Sequence, residues 1–166
     1  MGTFGAIVVL LLFLTGIFAP LLAPFGYNDV DLAVRLSPPS LAHPLGTDDL
    51  GRDLLSRIVY GARVSMVVAI FGVALEMLIA LLLGLVGGYI GGRVDMLLQR
   101  FVDAFMSFPP IFFYLTIMSI VGPGIPQVIA VLGIISGIRE SRVVRSAVIN
   151  IKSTCFVEAA TVVGSR

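Results

Sequence analysis

The stretch Val64–Ile90 reads VSMVVAIFGVALEMLIALLLGLVGGYI, and between Arg63 and Arg93 the only charge is Glu76. A helix rising 1.5 Å per residue needs about 20 apolar residues to cross a hydrocarbon core of roughly 30 Å. This run is longer than that. Its surroundings match it: of 166 residues 58% are hydrophobic and 13% charged, with mean hydropathy +1.06, against about 45–50% apolar and about 25% charged in a soluble domain. Disorder requires the opposite composition. Eleven basic and ten acidic residues leave a net charge of +1, so no basic excess points to nucleic acid. The lone cysteine, Cys155, excludes an internal disulfide framework.

Toward the N-terminus no charge occurs before Asp29, and Phe4–Leu22 is almost continuously apolar until Pro20, Pro24 and Gly26 interrupt it. This predicts a first span over 1–24. A cleaved leader is the competing reading, but the run has no basic flank and outlasts the usual apolar region of a leader. Toward the C-terminus, Ala104–Ile138 is uncharged and is divided by Gly122-Pro123-Gly124-Ile125-Pro126, a density of proline and glycine that forces a turn. The predicted third span, about 101–121, carries Pro109 and Pro110, which should kink it in mid-membrane. The fourth, about 126–138, is short and is expected inside a bundle. Gly84, Gly87, Gly88, Gly91 and Gly92 gather at the end of the second span, 64–90, and Gly84 with Gly88 has the GxxxG spacing that lets helices approach closely. The predicted fold class is all-α, a polytopic transmembrane helix bundle of about four spans.

Basic residues are retained on the cytoplasmic side. Arg93, Arg100, Arg139, Arg142, Arg145, Lys152 and Arg166 share one side of a four-span chain; Arg35, Arg52, Arg57 and Arg63 share the other. The N-terminus and residue 166 are therefore both predicted cytoplasmic, in a multi-pass protein of a bacterial plasma (inner) membrane, with 25–63 outside.

That outer segment is Pro-rich to Leu45, and from Thr47 the pattern turns helical, with Thr47, Asp48 and Asp49 as N-terminal residues and Leu50, Leu54, Leu55, Ile58 and Val59 at helical spacing. Asp49 can pair with Arg52 and Asp53 with Arg57, which predicts an amphipathic helix lying along the membrane before Val64. His43, Asp48, Asp49 and Asp53 also admit a metal or hydrolytic site, although a catalytic zinc usually has three protein ligands and one histidine stands here among acids. No H-E-x-x-H, G-x-S-x-G or phosphate-loop pattern occurs. No cofactor is expected. Glu76 reads either as a functional intramembrane carboxylate or as a hydrogen-bonded group at a helix interface.

The tail 139–166 opens with Arg139, Glu140, Arg142 and Arg145, continues in an apolar stripe through Val143, Val144, Ala147, Val148 and Ile151, and then gives Phe156-Val157-Glu158-Ala159-Ala160-Thr161-Val162-Val163-Gly164. This predicts a short helix closed by a glycine, too small to be stable without a partner surface. Cys155, with no base or metal partner in view, reads as an idle or packed thiol.

Two of these stretches carry a resemblance. Leu45-Gly46-Thr47-Asp48-Asp49-Leu50-Gly51-Arg52-Asp53, followed by Ser56-Arg57 and Gly61-Ala62-Arg63-Val64-Ser65, resembles the segment before the transport domain in permeases of bacterial binding-protein-dependent ABC importers of the dipeptide, oligopeptide and nickel group. Glu158-Ala159-Ala160, with Gly164 four residues on, resembles their EAA loop. The resemblance implies a permease with four kinds of partner: a homologous second permease, two cytoplasmic ATPase subunits, an extracytoplasmic solute-binding protein and the bilayer. It implies a transport subunit rather than an enzyme, with 64–166 as a partial transport domain whose region 139–166 couples to the ATPase through Glu158, Ala159, Ala160 and Gly164. In the family the motif continues past the glycine into further spans, so the sequence is expected to be a piece of a longer permease. A membrane-embedded hydrolase or metal enzyme using His43, Asp48, Asp49 and Asp53, and a purely structural membrane subunit, are the alternatives.

Overall fold

The computed structural model describes residues 2–164, with the side chains of Phe156, Glu158, Ala160 and Thr161 outside that description. Among the described residues regular structure is helical: α1 (Gly2–Ile17), α2 (Ala19–Leu22), α3 (Leu54–Ile90), α4 (Gly92–Met106), α5 (Pro110–Val121), α6 (Ile125–Lys152) and α7 (Cys155–Val162), with a 3-10 turn at Leu32–Val34. The chain divides into two compact units, 1–68 and 69–166.

In the first unit α1 ends where Pro20 opens the single turn of α2. Gly16 on α1 is buried, and a Cβ there would lie 3.2 Å from the Cα of Arg63, so the glycine brings two helix backbones together. The helix expected from Thr47 begins instead at Leu54. Gly51 has φ +73 and the Asp48 carboxylate takes up local amides, so 47–53 closes into a turn rather than a first helical turn. From Leu54 the helix runs 37 residues without a break, about 55 Å at 1.5 Å per residue. The amphipathic stretch is thus the beginning of the long apolar helix and not a separate surface helix, because nothing between Ser56 and Val64 stops it.

In the second unit α3 and α6 are parallel. A Cβ on Gly133 would fall 2.8 Å from Leu75 Cβ, one on Gly137 2.7 Å from Ile79 Cβ, one on Gly84 2.6 Å from Val144 Cβ, and one on Gly88 2.8 Å from Val148 Cβ. Contacts advance in the same direction along both helices, two glycines from each forming one seam. Parallel neighbours need a return crossing, and α4 with α5 is the segment that supplies it.

That return is broken more sharply than a kink. Proline restrains the residue before it to extended backbone, and Phe108, Pro109 and Pro110 apply this twice: Pro109 has ψ 132 and Pro110 starts a new helix at its first position. The axes of α4 and α5 differ by 79°. The expected third span, 101–121, is therefore two helices, with 101–106 belonging to the polar-faced α4. The expected fourth continues to Lys152, but Arg139, Glu140, Arg142 and Arg145 confine its apolar part to the first half. By length and composition α3 is the one described helix able to cross a membrane alone; α4 and α5 qualify only as a bent pair, and α1 is a shorter apolar helix of 16 residues.

Gly84→Ala should destabilise the seam by about 1–3 kcal/mol, the usual cost of overpacking. Gly72→Ala, on the same helix with nothing within 4 Å of the added carbon, should be neutral or slightly stabilising through helix propensity. Thermal unfolding in detergent compares the two.

Candidate functional site

Three places hold the residues singled out by the sequence. The first is the turn before α3. A Cβ on Gly46 would meet the Ser37 carbonyl oxygen at 2.6 Å, and one on Gly51 would run into that of Asp31, so the backbone on either side of the 3-10 turn at Leu32–Val34 lies directly against this turn. Thr47 is buried; its Oγ1 donates to the Val34 carbonyl and accepts from the Ser37 amide at 2.9 Å. Asp48 accepts from the amides of Leu50 (2.8 Å) and Arg52 (2.9 Å), from Arg52 Nε (2.8 Å), and from Arg57 Nη1. Arg52 and Arg57 thus converge on Asp48, and the expected pairs Asp49–Arg52 and Asp53–Arg57 do not form, because Asp48 faces inward and Asp49 is exposed.

Asp53, 3% exposed, caps α3: its Oδ2 accepts from the Ser56 amide at 2.7 Å and the Ser56 hydroxyl at 2.8 Å, while Oδ1 lies 3.1 Å from His43 Nδ1. His43 stacks on Phe25 at 4.8 Å, and Phe25 donates its amide to Ser56 Oγ at 3.1 Å. Serine, aspartate and histidine do meet here, but in the wrong order for nucleophilic catalysis. The carboxylate stands between the other two, so no imidazole is placed to take the serine proton. Among the described residues no group of three or more His, Cys, Asp or Glu side chains could hold a metal ion. The hydrolase and metal reading is not favoured; the acids brace a turn. Gly61 sits in open space on α3, and Arg63 is exposed beside α1.

Burial is the largest single influence on both carboxyls and pushes them up, yet amide and guanidinium donors to Asp48, and Ser56 and His43 donors to Asp53, outweigh it and hold both below the ordinary value of 3.8.

The second place is Glu76, half-buried on α3. Its backbone carbonyl faces Gly137, and its side chain borders a groove of about 250 Å³ with Glu140, Ala80, Val143 and Val144. Glu140, the other ionisable group lining that groove, is exposed.

The third is the end of α6. Ser153 caps the helix with its amide on the Ile149 carbonyl at 3.2 Å, Thr154 donates to Ile151 at 3.1 Å, and Val157 to Thr154 at 2.9 Å, so a two-residue turn joins α6 to α7. Glu158, Ala159 and Ala160 lie on α7; Ala159 is exposed, and the side chains of Glu158 and Ala160 are outside the described set. Gly164 follows with φ +88, a left-handed conformation that favours glycine. Residue 166 lies outside the described residues. Sequence reasoning missed what fastens this end: Lys152 Nζ reaches the Tyr89 carbonyl at 2.9 Å, Arg142 pairs with Asp103, and Arg145 with Asp95. The arginines were visible as a charged exit, but no local spacing connects them to partners about 40–50 positions away on another helix.

The profile of the family described as "Binding-protein-dependent transport system inner membrane component" matches residues 80–166, and that of the "N-terminal TM domain of oligopeptide transport permease C" matches residues 1–39. The chain belongs to the first of these families. It is 38% identical over 162 residues to the dipeptide transport system permease protein DppC of Alkalihalophilus pseudofirmus, covering 98% of this chain and 53% of that protein. It is 37% identical over 148 residues to the oligopeptide transport system permease protein OppC of Haemophilus influenzae, covering 88% and 48%. The chain spans about half the length of the curated relatives it matches.

Asp53→Ala should loosen the turn by about 2 kcal/mol, since the cap is lost and the buried Ser56 amide is left without its acceptor; limited proteolysis within 41–54 reads it. Because both carboxyls are lowered on folding, their contribution is complete above 3.8 and is lost as pH falls through the lowered values. Pepsin should therefore spare this segment at about pH 4 and cut it progressively faster as the pH is lowered from there.

Proposed function

We propose that the chain is the membrane-spanning part of a permease subunit in an ABC importer of short peptides, coupling ATP hydrolysis in partner subunits to translocation. The observation that carries this reading is the turn-linked continuation of α6 into α7, a helix too short to stand alone, with the EAA triplet on it and Gly164 behind it. Family membership, and the peptide substrates printed in the relatives' names, support it from outside the structure. In this reading α7 docks on a cytoplasmic ATPase through Glu158, Ala159 and Ala160; a second permease completes the pathway, a second ATPase completes the nucleotide-binding pair, and an extracytoplasmic binding protein delivers the solute. The braced turn over Gly46–Arg57 presents the outer face to that protein. The spans are 1–24, 64–90, the bent 101–121 and 126–138, with 25–63 outside and 139–166 inside.

Gly164→Val and Glu158→Lys should abolish ATP-driven uptake of labelled dialanine by the assembled transporter while leaving the protein in the membrane and lowering co-purification of the ATPase. Full co-purification and full uptake would overturn the docking role. Excess unlabelled trialanine should compete with dialanine, whereas Ni²⁺ should not; the reverse would move the substrate to the nickel branch of the family.

Cys155 is exposed and reports the orientation. A membrane-impermeant maleimide should modify it in inverted vesicles and spare it in intact spheroplasts, with Leu41→Cys showing the opposite pattern. Modification of Cys155 from outside would invert the topology.

A further inference from the structure

A two-bond ion pair of the second unit lies outside every motif. Arg145 Nε and Nη2 donate to Asp95 Oδ1 and Oδ2 at 2.5 and 2.6 Å, a two-bond fork between α6 and the first turn of α4. The side chains are 30% and 17% exposed, so the pair is better shielded than Arg142–Asp103 at 41% and 50%, and an exposed pair contributes little. Gly87 of α3 faces the fork: a Cβ there would lie 3.2 Å from Asp95 Oδ1 and 3.9 Å from Arg145 Cδ. Three helices meet at this point, and a side chain at position 87 would press on the carboxylate of the fork.

The connections on either side differ in stiffness. From Arg145, α6 runs on for two turns to Lys152, whose ammonium sits on the Tyr89 carbonyl and 5.6 Å from its ring centroid. The Ser153–Thr154 turn into α7 is hydrogen-bonded throughout. A displacement of α7 is thus delivered to α6 with no loose linker between them. The covalent joint from α3 to α4 turns instead on two glycines, Gly91 and Gly92, at φ +69 and +58, held by the Gly91 amide on the Gly87 carbonyl (3.0 Å) and the Asp95 amide on the Gly91 carbonyl (3.3 Å), with open space where a Cβ would stand on either. α4 is tied to α6 by buried Val102, by the Arg142–Asp103 pair and, at its first turn, by the better shielded fork.

We propose that Asp95 and Arg145, in the space left by Gly87, are positioning residues that make α4, and α5 beyond it, follow α6 when the ATPase moves α7. The proposal rests on the reading of α7 as the ATPase-facing helix. A fork that merely held the fold together would change how much transporter assembles. A transmitting fork changes how much solute moves for each ATP consumed.

The test is Asp95→Asn and Arg145→Gln in the transporter assembled with its ATPases and binding protein in liposomes, with uptake of labelled dialanine and ATP hydrolysis read from the same sample. ATP hydrolysis per assembled complex should persist, and dialanine moved per ATP should fall about tenfold, within the common range of coupling between sites. Asp95→Glu, which keeps the charge, should recover part of the ratio. If Asp95→Asn assembles poorly, Arg145→Lys is read on the same ratio, because lysine keeps the charge but cannot form the fork. A native ratio in Asp95→Asn and in Arg145→Lys overturns the proposal. ATP-independent uptake by the native transporter overturns the underlying reading instead, and is told apart because the native ratio itself fails.

Discussion

Between helices surrounded by hydrocarbon there is no hydrophobic gain from association, so close van der Waals contact has to supply it. α3 and α6 make that contact only because Gly84 and Gly88 on one and Gly133 and Gly137 on the other carry no side chain where the neighbour arrives. The α6 glycines occupy one half of the seam and the α3 glycines the other, so each helix serves as ridge in one half and groove in the other. The parallel sense of the pair then dictates the path of the intervening chain, and the placement of Arg142 and Arg145 alongside the seam and of Lys152 beyond it brings three cations to α4 and the end of α3.

The two ends of α3 are held by different physics. At its start, Asp53 satisfies the amide donors that an open helix N-terminus leaves unpaired, and around it Thr47, Asp48, Ser56 and His43 form a connected set of hydrogen bonds in which the buried carboxylates all have donors. At its finish, Lys152 reaches a carbonyl of the last turn, where positive charge is favourable. Polar residues are scarce in this chain, and the structure concentrates them at helix ends, where backbone groups need them most.

How much of this was legible in the sequence depended on the range of the signal. The apolar run of α3 and the proline-glycine turn before α6 are local patterns, and they appear where the pattern puts them. GxxxG at Gly84 and Gly88 announced a seam, but its partner was invisible: Gly133 and Gly137 repeat the same spacing inside a stretch read only as apolar. The helix start at Thr47 was misread because Asp48 is a good N-terminal residue in isolation, and the φ of Gly51, which turns it into a loop residue, is set by the packing of residues 31–37. The pairing of Asp48 with Arg52 and Arg57 follows from that loop and not from helical spacing. Pro109 and Pro110 signalled a bend, and two successive restraints on the backbone made it a break. Asp95 carried no sequence signal at all, since its role is defined by Arg145 arriving from a distant helix.

The break at residues 107–109 also bears on how the protein reaches its membrane state. Hydrocarbon cannot hydrogen-bond the backbone groups that a helix break frees, so such a segment is tolerated only against protein or water. α5 has 12 residues, about 18 Å of helix at 1.5 Å per residue, too little to cross by itself, and α4 carries charge through most of its length. Neither can partition into lipid as an independent unit during synthesis. Only as a bent pair do they reach the length and apolarity of a span, so the backbone freed at the break has to be covered by protein or water rather than by lipid.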